Sequence, residues 1–203
     1  MSHGPKIVQF HVCLPDSDEW FSFQPKRRFG TEAVELAKKH ADAPAGQALL
    51  TRSLVAISKD AMDHGAGGGG PSTIVWVPDR QTGEVVFFGY RGIYQFRSTA
   101  EANADAYATM NMQKYIGPKF KVLDHSVIRF DCPTGPGVMH ATVQRERFTA
   151  STVWVAESMV FPTVPGLTQA PRCILFTTHL DLGVELTEAS SGMAKSFRVD
   201  IQP

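Results

Sequence analysis

Four β-rich runs follow one another between residues 119 and 179, and their spacing limits the fold more than any other feature of the chain. The runs are residues 119–132, 137–148, 151–161 and 172–179. Pro133-Thr134-Gly135-Pro136 and Phe148-Thr149-Ala150-Ser151 are too short to hold a crossover helix, so neighbouring runs must pair antiparallel. In the third run Val153, Val155, Met159 and Phe161 alternate to one face, while Trp154, Ala156 and Val160 make the other face apolar too. That pattern predicts a central strand covered on both sides.

The rest of the chain alternates strands with helices. Residues 7–14 (IVQFHVCL) and 19–23 (EWFSF) read as strands separated by a turn at Pro15-Asp16-Ser17-Asp18. A helix is expected after Thr31, which can cap it while Glu32 and Glu35 face the N-terminal dipole, and it ends near His40. A second helix is expected over about residues 46–63, because Leu50, Leu54, Ile57 and Ala61 recur on one helical face. The segment 65–71, GAGGGGP, reads as a Gly-rich connecting loop. It follows a helix and precedes a strand, the reverse of the order that cradles phosphate, and no GK[ST] follows it.

Residues 73–77 and 84–90 read as a hairpin, with a further strand-like piece at 92–96. Ser98-Thr99-Ala100-Glu101 has the spacing of a capping box and predicts a helix with Ala102, Ala106 and Met110 on one face, ending at Gly117-Pro118. A last helix is expected over about residues 182–196, capped by Asp181, with a stripe of Leu182, Leu186, Ala189 and Met193. Helices kept apart from an antiparallel meander imply an α+β fold rather than a doubly wound parallel sheet. At 203 residues, with 43% hydrophobic residues, one domain over 1–203 is expected, carrying a helical insertion near 31–64 and the Gly-rich loop 65–71.

Charge excludes several function classes. Lys+Arg and Asp+Glu both number 20, and each half of the chain is balanced, so neither a basic stripe nor a charged tail exists to hold nucleic acid. Phe120, Phe130 and Phe148 lack interleaved basic residues and read as core rather than base-stacking platforms. No run of 18 or more apolar residues is present, and residues 1–6 do not open as a secretory signal does, so no membrane partner is expected. Cys13, Cys132 and Cys173 are too scattered for a disulfide framework or a CxxC metal pair and read as small core residues. A reducing cytoplasm is the expected compartment.

Local catalytic signatures are missing. No HExxH, HxH, GxSxG or SxxK occurs, so no cofactor, metal site or catalytic residue is assigned. Among seven histidines, His125, His140 and His179 lie on strands expected in one sheet and would converge if their faces agree. Lys26-Arg27-Arg28 is the densest positive cluster and Trp20 stands beside a turn, so Trp20, Lys26, Arg27 and Arg28 are the expected partner-binding residues.

The meander FKVLDHSVIRFDCPTGPGVMHATVQ, the apolar strands after it and the closing helix ending in AKSFRV resemble the PsbP-like α/β/α sandwich domains, over roughly residues 84–201. The resemblance implies an antiparallel sheet flanked by helices. It also implies a mostly non-catalytic role, since such domains commonly act by binding another protein. A non-enzymatic, cytoplasmic protein-binding domain is therefore the leading expectation, with a homo-oligomer as a further form. The alternative is a small-ligand-binding protein or enzyme whose polar groups come from separate strands. A pocket beside the strand histidines would favour that alternative.

Overall fold

The computed structural model describes residues 4–63 and 72–202. The expected Gly-rich loop 65–71 lies outside the described residues, as do His3 and His64. In chain order the first elements are β1 (Lys6–His11), β2 (Trp20–Phe23), α1 (Gly30–His40), α2 (Pro44–Asp63), β3 (Ser72–Trp76) and β4 (Phe87–Gln95). They are followed by α3 (Ala104–Ala108), α4 (Met112–Ile116), β5 (Phe120–Cys132), β6 (Gly135–Glu146), β7 (Thr152–Val160) and β8 (Gln169–Thr177). A 3-10 turn (Leu180–Leu182), α5 (Gly183–Lys195) and β9 (Arg198–Gln202) close the chain. Strand pairing is antiparallel and helices flank the sheets, which is an α+β fold. The chain forms two compact units, one of residues 14–92 and one of residues 1–13 with 93–203.

In the unit of residues 14–92, β2, β3 and β4 form an antiparallel ladder. Register sets Trp20 opposite Trp76 and Trp76 opposite Phe87, so three aromatic side chains stand side by side on one face. Phe21, Phe23 and Val75 join the core with Phe29, Ala33, Ala37, Leu50 and Leu54 from the helices. Leu50, Leu54, Ile57 and Ala61 are all buried, as the helical period requires. Burying each of the two leucines contributes about 1.5–3 kcal/mol. α2 begins at Pro44, which suits a first helical position because its missing N–H has no intrahelical partner there.

In the second unit, β5 to β8 form an antiparallel meander, with an irregular register between Val122 and Asp124. β7 is covered on both faces, with every residue from 155 to 160 buried. Its even-numbered face meets α5, where Ser158 Oγ and Ser190 Oγ lie 2.8 Å apart. Its odd-numbered face carries Glu157 and Met159 toward the segment that holds α3 and α4. β1 pairs with β9, so the tail after α5 is a strand.

Several expected caps and core residues are corrected. Phe29 and Leu182 stand at the cap positions of α1 and α5, with no side-chain cap bond, so neither Thr31 nor Asp181 is a cap. The Ser98–Glu101 box forms in half: Ser98 Oγ accepts the Glu101 amide at 3.3 Å, but Glu101 Oε2 accepts the Arg97 amide at 3.2 Å instead of that of Ser98. It closes a turn instead of starting a long helix. Asn103 and Asn111 each accept backbone amides and start two separate short helices, because their side chains compete locally with continuous helical bonding. Of the three cysteines only Cys173 is buried, Cys132 is half-buried and Cys13 is exposed. Phe148 is 84% exposed at the β6–β7 connection, not core.

Candidate functional site

Antiparallel register brings one charged or imidazole side chain from each meander strand to a common face. His140 on β6 is the direct cross-strand partner of Glu157 on β7. Arg172 on β8 faces Met159, two residues along the same face from Glu157. His125 on β5 faces Thr142, two residues from His140. The result is a row, His125–His140–Glu157–Arg172, assembled from four strands. α3 and α4 add Tyr107 and Tyr115 to it.

The imidazoles of His125 and His140 lie edge to edge, with centroids 5.0 Å apart and planes 6° off parallel. His125 Nε2 lies 2.7 Å from His140 Nδ1, and His140 Nε2 lies 2.8 Å from the Tyr107 carbonyl oxygen. A carbonyl can only accept, so His140 Nε2 must carry the proton. Its Nδ1 is then the acceptor, and His125 Nε2 must donate. The Tyr107 carbonyl therefore fixes both tautomers. His140 is fully buried and His125 is exposed. Burial holds the His140 pKa below the usual imidazole value.

The other half of the row is a buried ion pair. Glu157 is 3% exposed and accepts both Arg172 Nε at 2.6 Å and the Tyr115 hydroxyl at 2.8 Å. Arg172 Nη2 also donates to the Tyr115 oxygen at 2.9 Å, closing a three-membered network. The guanidinium sits 5.5 Å from the centroid of the Tyr94 ring. A buried carboxylate is tolerated because its charge is opposed at contact distance and its Oε1 accepts two hydrogen bonds. Burial opposes the charge on Arg172, but Glu157 and the two tyrosines outweigh it and raise its pKa. Burial, with the Glu157 charge second, pushes both tyrosine hydroxyls up, so both stay protonated.

Tyr107 is 4% exposed, and its hydroxyl, near enough to Glu157 to have its pKa pushed up by it, has no partner within hydrogen-bond geometry among the described residues. Tyr107 and Tyr115 line a cavity of about 230 Å³ with Phe96, Glu101, Met110 and Met159. Tyr94 and Ala106 complete its wall. A buried polar atom without a partner costs about 1–3 kcal/mol, so its presence in a residue of the cavity wall is informative.

The sequence-predicted residues fall into two groups. His125 and His140 do converge, whereas His179 opens the 3-10 turn and is not part of their pair. Trp20 is half-buried and stacks on Trp76 at 5.7 Å. Lys26 is exposed, pairs with Glu32 at 2.9 Å and donates its amide to Ser58 Oγ. Arg27 and Arg28 are exposed. Tyr107, Tyr115, Glu157 and Arg172 escaped sequence reasoning. The available signal was Glu157 itself, one acid in the apolar run VWVAESMVF, since a charge in a strand covered on both faces must find a partner.

No family model matches the chain, and no curated protein matches it. Among solved structures it is similar to the crystal structure of LpqN, described as involved in cell envelope biogenesis of Mycobacterium tuberculosis. That similarity is 11% sequence identity at a TM-score of 0.47, covering 98% of this chain and 91% of LpqN. Among the described residues no helix is long and apolar enough to cross a membrane. No group of three or more His, Cys, Asp or Glu side chains among them is placed to hold a metal ion.

Proposed function

We propose that this protein binds a small, largely apolar molecule in the cavity walled by Phe96, Tyr107, Met110, Tyr115 and Met159. One observation carries the reading: the Tyr107 hydroxyl is buried, has no hydrogen-bond partner, and belongs to a residue of the cavity wall. A ligand that hydrogen-bonds there removes a standing cost. Size supports a molecule of one ring or two fused rings, because an apolar cavity of about 150 Å³ holds benzene and this one is about 230 Å³. Function through this pocket is binding, with the His125–His140–Glu157–Arg172 row serving to fix the floor of the site.

Indole is a suitable neutral probe. Its addition is expected to raise Tm and to shift the NMR signals of Met110 and Met159. Ala106 is exposed at the wall, so Ala106→Trp blocks the cavity without disturbing buried packing. Indole binding that survives Ala106→Trp unchanged would overturn the reading.

A second reading, docking of another protein by the unit of residues 14–92, rests on Arg27 and Arg28. Both are exposed and form no ion pair among the described residues, which leaves two planar donors for acidic groups. Loss of a stoichiometric partner on Arg27→Ala/Arg28→Ala is the matching test. For either reading a reducing cytoplasm is the proposed compartment, supported by three cysteines too scattered in sequence for a disulfide framework.

A further inference from the structure

We infer that the cavity is built for an organic cation, an ammonium carried on a small apolar body. This rests on the cavity reading above and names the class of ligand. Four of its lining residues are aromatic, namely Tyr94, Phe96, Tyr107 and Tyr115. Glu101 is the one charged residue of the lining, and no lysine, arginine or histidine belongs to it. Ring faces, phenol oxygens and a carboxylate are all electron-rich, so the lining attracts positive charge and repels negative charge.

The hydrogen-bonding groups sort the same way. The Tyr115 hydroxyl is committed, donating to Glu157 and accepting from Arg172. That leaves the Tyr107 oxygen, which makes no hydrogen bond, and Glu101, whose Oε2 alone is engaged by the Arg97 amide. An ammonium can pair with Glu101 while the phenol oxygens and ring faces around it favour its charge. A carboxylate ligand would find one donor, the Tyr107 hydroxyl, and would face Glu101. Arg172 lies beside the lining residue Tyr94, but its charge is opposed by Glu157 at 2.6 Å. Its guanidinium already lies against the Tyr94 ring, which shows that ring accepting a cation in this fold.

Three probes of nearly equal shape separate the classes: 2-phenylethylamine, 2-phenylethanol and phenylacetate. Their dissociation constants are measured at pH 7 by calorimetry or NMR titration, on the full chain and on Ala106→Trp as the blocked control. The amine is expected to bind about tenfold more tightly than the alcohol, a cation–π and charge advantage of about 1.4 kcal/mol. Phenylacetate is expected to bind most weakly. Glu101→Gln should weaken the amine severalfold and leave the alcohol unchanged. Equal affinity for amine and alcohol, or preference for phenylacetate, would overturn the cation inference while the cavity reading stands. Failure of all three to bind in a manner sensitive to Ala106→Trp would overturn both.

Discussion

His125 donates its Nε2 proton to His140 Nδ1 across 2.7 Å, and this direction is imposed by the Tyr107 carbonyl on the far side of His140. A proton added to His140 Nδ1 would meet the proton on His125 Nε2, so His125 would have to change tautomer for the bond to persist. Burial, with His125 adding to it, holds the His140 pKa below the usual imidazole value, against the Tyr107 carbonyl and Glu157, which pull the other way.

Stability should consequently depend on pH with a definite sign. The folded His140 pKa is depressed, chiefly by burial, and His40 in the other unit is depressed by burial as well. Below about pH 6.5 the unfolded imidazoles take up protons that the folded ones refuse. Their contribution is complete above that pH and is lost as pH falls toward the folded values. Tm measured from pH 7.5 to 5.5 should drop, and His140→Gln and His40→Gln should each make the drop shallower. A wild-type Tm flat across that range would contradict the assignment.

Breaking the ion pair from one side should be severe. Arg172→Met leaves Glu157 buried and unopposed, at a cost of about 3–5 kcal/mol. Arg172→Met with Glu157→Met removes the stranded charge and should recover most of that loss. Urea denaturation of both variants decides the matter, and equal destabilisation of single and double variants would show that packing, not charge, dominates.

Tyr107→Phe should behave unlike an ordinary buried tyrosine change. Removing a satisfied buried hydroxyl costs about 1 kcal/mol. Here the hydroxyl has no hydrogen bond to lose, so stability should be unchanged or higher by up to about 1 kcal/mol, while affinity for a bound amine falls. A stability loss beyond about 1 kcal/mol would mean that the hydroxyl is engaged in solution.

Gly83 tests the packing of the unit of residues 14–92. Its φ is +64°, and a Cβ there would lie 2.3 Å from the Gly46 carbonyl oxygen. Gly83→Ala meets left-handed strain and a backbone collision together, so a loss of about 2–4 kcal/mol is expected in thermal or chemical unfolding. Gly192→Ala, where the space is open, should be neutral or stabilising by up to about 1 kcal/mol.

Much of the architecture was legible in local signals. Short connections made the β5–β8 meander antiparallel, and Leu50, Leu54, Ile57 and Ala61 marked the buried face of α2. The apolar residues on both faces of β7 announced its burial. Local reading failed where two short-range devices competed. The Ser98–Glu101 box promised one helix, but Asn103 and Asn111 divided the segment into α3 and α4. Caps assigned to Thr31 and Asp181 failed because nothing in composition says which of several polar residues will take the cap geometry.

The sequence by itself determined the α+β class, the antiparallel succession of the β5–β8 meander, and which faces of α2 and β7 are apolar. Tertiary structure alone decided the site. His125, His140, Glu157 and Arg172 meet because diagonal neighbours in an antiparallel sheet are set by register across strands 15 residues or more apart, which no local spacing encodes. The same holds for the cavity, whose wall draws on residues from Tyr94 to Met159 and takes its polarity from which hydroxyl the Glu157–Arg172 pair engages and which it leaves unbonded.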